Sequence, residues 1–418
     1  MQKSVEPSII DGTVNAPASK SYMQRALASA LLTREEVSLT HTTFCDDSNA
    51  ALRIIRALGA SVDLQKNGIC IRGGMKPTGE ILDCGESGLS IRMFSSIAAL
   101  WHDELVLTGT GSLSKRPMEM IVEPLRELSV WATTNNGFLP VRVKGPLKGK
   151  EITIDGAISS QFLTGLLMAL PLADGNSIIH VNNLISIPYI KMTLSLLKDF
   201  GIHIEHDEFK TFVINGNQEY HLNNTQYPIE GDWSGAAFLL VAGAIGGNVK
   251  VTGLNANSLQ ADRAILEVLI QSGAIIQVSE EGIGIKKGIL RAFTFDATHC
   301  PDLFPPLAVL ACSCSGRSKI YGIERLIHKE SNRATAICDL ISSLGGEIRI
   351  NDDKMEIEGK KLNGGIVDSH NDHRIAMAAA TAAIASKGGI TIRDYHCVNK
   401  SYPDFFGDLE RIGGKVYE

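Results

Sequence analysis

The chain has 418 residues, 44% of them hydrophobic and 21% charged, a globular composition long enough for two or more cores. Its 40 Lys and Arg against 46 Asp and Glu give a net charge of −6, which argues against a nucleic-acid or anionic-membrane partner and confines any anion site to a local cluster of cations. No apolar run reaches the ~20 residues of a membrane span, the start MQKSVEPSII has no signal-peptide core, and the 8 cysteines show neither C-x-x-C nor zinc spacing, as expected of thiols buried in a reducing cytoplasm.

In chain order the sequence predicts six copies of one unit: a strand, a helix that starts polar and turns apolar, a strand, an amphipathic helix and a strand pair. The polar-to-apolar helices are SKSYMQRALASALL, GESGLSIRMFSSIAALW, SSQFLTGLLMALPLA, GDWSGAAFLLVAGAI, CPDLFPPLAVLACS and NDHRIAMAAATAAIA. The amphipathic helices alternate with them, from SNAALRIIRALGASVDL to PDFFGDLERIGGKVYE. They end at Gly59, Ser129, Gly201, Gly273, Gly345 and Gly413, about 70 residues apart. Glycine there supplies the left-handed backbone of a helix C-cap. A period that long suits small subdomains rather than a solenoid. The expected fold class is α/β (α+β), with three copies in each of two lobes. Residues 19–229 would form the N-terminal lobe, and residues 1–18 with 230–418 the C-terminal lobe. Residues 8–18 lack a helix and are expected to complete the last copy. Buried helices sharing a direction would bring their polar starts to one surface of each lobe, and two such surfaces would face across a cleft.

Those polar starts hold the candidate site residues. In NDHR, Asn371 or Asp372 fits an N-cap, but Arg374 in the first turn opposes the helix dipole unless it faces an anion. SKSYMQR offers Lys20, Ser21 and Arg25, with Ser21 and Arg25 four apart on one helix face; alone, the cations fit solvated surface equally well. GESGLSIR offers Arg92 and Gly88, and a glycine inside a helix costs about 1 kcal/mol against alanine unless something must approach it closely. SKRP offers Lys115 and Arg116. ISSQF offers Ser159, Ser160 and Gln161, as caps or as phosphate ligands. HCPDLFPP holds Asp302, a helix cap or a base. IHKESNR holds Lys329, Glu330 and Arg333 around Ser331, whose simplest reading is a capping box. CVNKSYPDF holds Lys400. Together these put cations at helix starts or loops in most copies, with two carboxylates among them. That pattern suits substrates bearing phosphates and carboxylates.

As an ordered set, SKSYMQR, SKRP, ISSQF, PYI, HKESNR, NDHR and KSYPDF resemble the motifs of the 5-enolpyruvylshikimate-3-phosphate synthase family over the whole chain. The resemblance implies a two-lobed inside-out α/β barrel of six βαβαββ units, three per lobe. It implies transfer of the enolpyruvyl group of phosphoenolpyruvate to the 5-hydroxyl of shikimate 3-phosphate with release of phosphate. The route would be addition and elimination through a tetrahedral intermediate, without metal or cofactor. It further implies a cytoplasmic, monomeric enzyme of the shikimate pathway, from a family inhibited by glyphosate. Carried over position by position, Lys20, Ser21, Arg25, Ser159, Ser160, Gln161, Ser186, Tyr189, Asp302 and Lys329 are expected at shikimate 3-phosphate. Lys20, Gly88, Arg116, Gln161, Arg333, Arg374 and Lys400 are expected at phosphoenolpyruvate. Asp302 matches the base at the 5-hydroxyl, with Lys20 as the alternative, and Glu330 the acid–base group at the methylene carbon. Three positions depart from the family pattern: Glu86 and Leu89, where Asn and Thr are usual, and Asn332, which is often Asp. A carboxylate at 86 would repel phosphoenolpyruvate unless it pairs or points away. The competing reading is the related transferase acting on UDP-N-acetylglucosamine. It usually carries a cysteine just before the loop's Arg-Pro, and GSLSKRP has none. A non-catalytic anion-binding relative would be expected to lose Asp302, Glu330 or Lys20, and all three are present.

Overall fold

The computed structural model describes residues 1–418 except 67, 158, 159 and 328, so Ser159 lies outside the described residues. The chain is mixed α/β and divides into two compact units. One is continuous, Lys20–Ile229; the other is split, Met1–Ser19 with Glu230–Glu418. Among the described residues each unit holds three four-stranded sheets. Every sheet has one parallel pair followed by two antiparallel pairs. An example is the order Ile81–Asp83, Glu104–Thr108, Phe138–Lys144, Trp131–Asn135. Parallel neighbours need a long crossover, and an apolar helix supplies it: Gly88–Ala98 runs between the first two of these strands.

The sequence predicts that residues 8–18 complete the last copy, but they do not join the last sheet. Ile10–Asn15 pairs in parallel with Gly247–Thr252, at the start of the split unit. The strand that enters the last sheet is Gln2–Glu6, between Ile390–Arg393 and Lys415–Tyr417. The reason lies in the chain just before the helix Trp233–Gly246. Its strand, Gln226–Pro228, is already paired with Glu36–Thr40 in the continuous unit. The split unit therefore takes its first parallel strand from the N-terminus.

The crossover helices are apolar on nearly all sides, and helices without a polar face belong in a core. Trp233–Gly246 buries twelve of its residues, from Trp233 to Ile245. Close packing between two of these helices depends on a missing side chain. A Cβ at Gly165 would lie 2.6 Å from the Met93 carbonyl oxygen, so glycine lets Ser160–Ala169 meet Gly88–Ala98 backbone to backbone. The six amphipathic-helix ends all have positive φ: Gly59 at 109°, Ser129 at 67°, Gly201 at 75°, Gly273 at 90°, Gly345 at 75° and Gly413 at 96°. Ser129 adopts this conformation despite its Cβ, which is uncommon outside glycine. Among the described residues, no helix is long and apolar enough to cross a membrane.

Candidate functional site

In the continuous unit the site candidates gather at helix starts. Lys20 opens the helix Lys20–Leu32, and its Nζ lies 3.0 Å from Asp47 Oδ2. Arg25, in the second turn, is only 1% exposed. Its Nε donates to Thr193 Oγ1 at 2.9 Å, its Nη1 to the Ser21 carbonyl at 2.9 Å, and its Nη2 to Thr164 Oγ1 at 3.4 Å. Ser21 and Arg25 therefore do meet on one face, through the Ser21 backbone. Thr164 and Thr193 belong to the helices Ser160–Ala169 and Ile187–Asp199, so three helices converge on one guanidinium. Each of these hydrogen-bond acceptors is neutral. Burial pulls the Arg25 pKa down to about 10, against a smaller opposing pull from Tyr189 and Tyr22. A buried cation bonded to hydroxyls and a carbonyl is costly, and an anion beside it would relieve that cost. Ser160 and Ser186, both buried, stand at the starts of the two partner helices, and Tyr189 is in the first turn after Ser186.

The same unit holds Gly88, Arg92, Arg116 and Gln161. A Cβ at Gly88 would lie 2.5 Å from Arg116 Nη1, so glycine is what allows the buried Arg116 its place. Arg92 Nη1 donates to Gln161 Oε1 at 2.8 Å and Nη2 to the Pro117 carbonyl at 3.4 Å. It thereby fastens Gln161 to the SKRP loop. Gln24, fully buried, accepts hydrogen bonds from Ser87 Oγ at 2.9 Å and Ser90 Oγ at 3.0 Å, tying the helix of Arg25 to that of Gly88.

The split unit carries a network of charges. Asp302 lies in the 3-10 turn Pro301–Leu303 and does not cap the following helix, Phe304–Cys312. Its Oδ1 accepts from Arg333 Nη1 at 2.7 Å and Lys329 Nζ at 3.3 Å, and its Oδ2 from Arg374 Nη2 at 3.0 Å. Burial works to raise its pKa, but Arg374, Lys329 and Arg333 outweigh burial and hold the carboxyl well below the usual range. Arg333, 0% exposed, also donates to Glu330 Oε2 at 2.6 Å and to both oxygens of Asp372, at 2.9 and 3.2 Å. These bonds take four of the five N–H groups of a guanidinium. Burial would lower the Arg333 pKa, but Asp372, Glu330 and Asp302 raise it.

Asp372, 0% exposed, caps the helix His373–Ala385 by accepting from Arg374 N at 2.9 Å, and it accepts from Ser331 Oγ at 3.1 Å. Ser331 is thus not the cap its motif suggested. Asn332 caps Arg333–Ser343, accepting from Thr335 N at 3.4 Å. Arg374 stands in the first turn because an anion does face it, the Asp302 carboxylate. Behind it Asp262, 1% exposed, accepts from Ser234 Oγ, and Arg374 Nη1 donates to the Ser234 carbonyl at 3.4 Å. Burial first, then the charge of Asp302, push the Asp262 carboxyl up to about 7, with Arg374 opposing. Lys400, 7% exposed, ends the turn Tyr395–Lys400.

Ligand-type atoms of Glu330, Asp372 and His373 lie within 4.8 Å of one another. Arg333 already donates to both carboxylates, and a dication there would meet a guanidinium, so the group is an ion-pair network. A separate cavity of about 800 Å³ in the split unit is lined by Ile245, Val309, Cys312, Ile384 and Lys287, near the far ends of three buried helices. It includes none of these candidates.

The sequence reading missed Asp262, Thr164 and Thr193 and treated Asp372 only as a cap. One signal was present: each threonine follows a polar helix-start residue by four, and bonds back to it, Thr164 to the Ser160 carbonyl at 3.1 Å and Thr193 to the Tyr189 carbonyl at 2.8 Å.

Residues 5–409 match the family model for EPSP synthase (3-phosphoshikimate 1-carboxyvinyltransferase). A 3-phosphoshikimate 1-carboxyvinyltransferase of Clostridium novyi (strain NT) is 38% identical over 425 residues, covering 99% of this chain and 97% of the relative. One from Methanocorpusculum labreanum is 36% identical over 424 residues, covering 100% of both. Among solved structures, an EPSP synthase from Acinetobacter baumannii superposes with a TM-score of 0.83 at 27% identity, covering 100% of each chain. The enolpyruvyl transferase NikO from Streptomyces tendae gives 0.80 at 17% identity, covering 100% of this chain and 98% of that one, a likeness of fold alone.

Proposed function

The chain belongs to the EPSP synthase family, and from that premise we propose how its residues divide the work. The chain transfers the enolpyruvyl group of phosphoenolpyruvate to the 5-hydroxyl of shikimate 3-phosphate and releases phosphate. Arg25, Ser21, Ser159, Ser160, Gln161, Ser186 and Tyr189 are proposed to hold shikimate 3-phosphate, with Lys20, Lys329 and Asp302 also touching it. Gly88, Arg116, Gln161, Arg374, Lys400 and Lys20 are proposed to hold phosphoenolpyruvate. The observation that carries this reading is Arg25, a buried guanidinium whose hydrogen-bond acceptors among the described residues are all neutral. A phosphate dianion is the ligand such a site favours most.

Asp302 is proposed as the base at the 5-hydroxyl. Its depressed pKa makes it a weak base while three cations surround it. An anionic substrate drawing Arg374 and Lys329 to itself would release the carboxylate and raise its basicity when the hydroxyl is in place. Glu330 is proposed to serve the methylene carbon, held close by Arg333. Arg333 itself has most of its donors on carboxylates, so its proposed part at phosphoenolpyruvate is through the remaining N–H. Each unit is proposed to be a lobe of the inside-out barrel, three βαβαββ units apiece, with boundaries at 18/19 and 229/230. The working enzyme is proposed to be a cytoplasmic monomer.

The test is phosphate release from phosphoenolpyruvate with each acceptor in turn. Turnover with shikimate 3-phosphate and none with UDP-N-acetylglucosamine is expected. Comparable turnover with the UDP-sugar would reject the acceptor assignment.

A further inference from the structure

Glu86 is one of the three positions noted above as departing from the usual family pattern, a carboxylate two residues before Gly88. In the structure its Oε2 accepts two hydrogen bonds from one residue, from Ser112 N at 3.0 Å and from Ser112 Oγ at 2.8 Å. Gly111 is pressed against the same carboxylate: its φ is +57° and a Cβ there would collide with Glu86. Just upstream, Thr110 N donates to the Gly85 carbonyl at 2.8 Å. The short turn Gly111–Lys115 is therefore hung at its front on residues 85 and 86. Leu113 anchors its middle in the core, and Arg116 N closes it onto the Leu113 carbonyl at 3.1 Å. What the turn delivers is Arg116, set against Gly88.

We propose that Glu86 is a positioning residue: its carboxylate fixes the turn that places Arg116, and so tunes the affinity for the phosphoenolpyruvate anion. Both hydrogen bonds converge on one carboxylate oxygen and join it to the turn, and hydrogen bonds to a carboxylate are stronger than those between neutral groups. The inference rests on the proposed role of Arg116. A small misplacement of one guanidinium is enough to change binding without touching the chemical step.

The experiment uses the full chain with Glu86→Gln, Glu86→Ala, Ser112→Ala and the double variant Glu86→Ala/Ser112→Ala. Glu86→Ala is expected to raise KM for phosphoenolpyruvate about tenfold while kcat and the KM for shikimate 3-phosphate change by less than about threefold. Glu86→Gln, which keeps one acceptor oxygen, should fall between it and the unmodified chain. The double variant should be no worse than Glu86→Ala, because both changes cut the same link. A second readout needs no substrate: trypsin should cut after the exposed Lys115 faster in Glu86→Ala than in the unmodified chain. An unchanged or lowered KM for phosphoenolpyruvate in Glu86→Ala would overturn the proposal, as would additive effects or an unchanged cutting rate. If the unmodified chain failed to turn over shikimate 3-phosphate, the function would be at fault, and the trypsin result would still judge the tether.

Discussion

Arg25 in the continuous unit and Arg333 in the split unit are both buried arginines, and they are opposites. Arg25 bonds to two threonine hydroxyls and a carbonyl, and burial lowers its pKa. Arg333 bonds to Asp302, Glu330 and Asp372, and those carboxylates raise its pKa despite equal burial. The difference separates two uses of a buried cation. One has no carboxylate partner among the described residues and favours a ligand that brings a negative charge. The other is neutralised in advance and holds acid–base groups in fixed positions.

The sharpest break of this comparison is at the carboxylates that Arg333 holds. Glu330→Gln keeps the shape and an acceptor for Arg333 but not the exchangeable carboxyl proton. It is expected to lower kcat roughly 10²–10⁴-fold, about 3–5 kcal/mol of barrier, while the equilibrium affinity for shikimate 3-phosphate changes little. Near-normal kcat with collapsed binding would make Glu330 a scaffold residue.

Next comes stability. Arg333→Met leaves Asp372, which is 0% exposed, without its guanidinium, so unfolding in urea should show a loss of about 3–5 kcal/mol. Arg25→Met removes a cation that bonds only to neutral acceptors among the described residues, so ligand-free stability should stay within about 1 kcal/mol, the scale of replacing a few neutral hydrogen bonds by packing. Equal losses at the two sites would erase the distinction.

The smallest effect expected is at Asp262. Burial raises its folded pKa to about 7, above the value of about 3.9 expected unfolded. Between those values the folded protein holds a proton that the unfolded chain has lost, so this group's contribution to stability falls as pH rises from about 4 to 7. Asp262→Asn removes that dependence. Its Tm relative to the unmodified chain should climb between pH 5 and pH 8, and a gap that is flat or shrinks across that range would count against the assignment.

The repeat was legible in the sequence because each copy ends an amphipathic helix at a position demanding positive φ, and even Ser129 obeys. The cations at helix starts were legible too, since Lys, Arg and Glu in front of an apolar helix have few structural reasons to be there. What stayed hidden was partnership. Asp302, Asp372 and Ser331 each fit a local capping rule, and only Asp372 follows it. Ion pairs with Lys329, Arg333 and Arg374 displaced the local option at Asp302, and a hydrogen bond to Asp372 displaced it at Ser331. The destination of Gln2–Glu6 was hidden for a similar reason, because strand pairing across nearly the whole chain leaves no local trace.

The division of labour can be read in one equilibrium measurement. Calorimetric titration of shikimate 3-phosphate, without phosphoenolpyruvate, should be run on the unmodified chain, Arg25→Met and Arg374→Met. Binding should be lost or weakened at least about a hundredfold in Arg25→Met, the scale of removing a desolvated charge-assisted contact, and kept within about threefold in Arg374→Met. Full-strength binding by Arg25→Met would contradict the account at its centre.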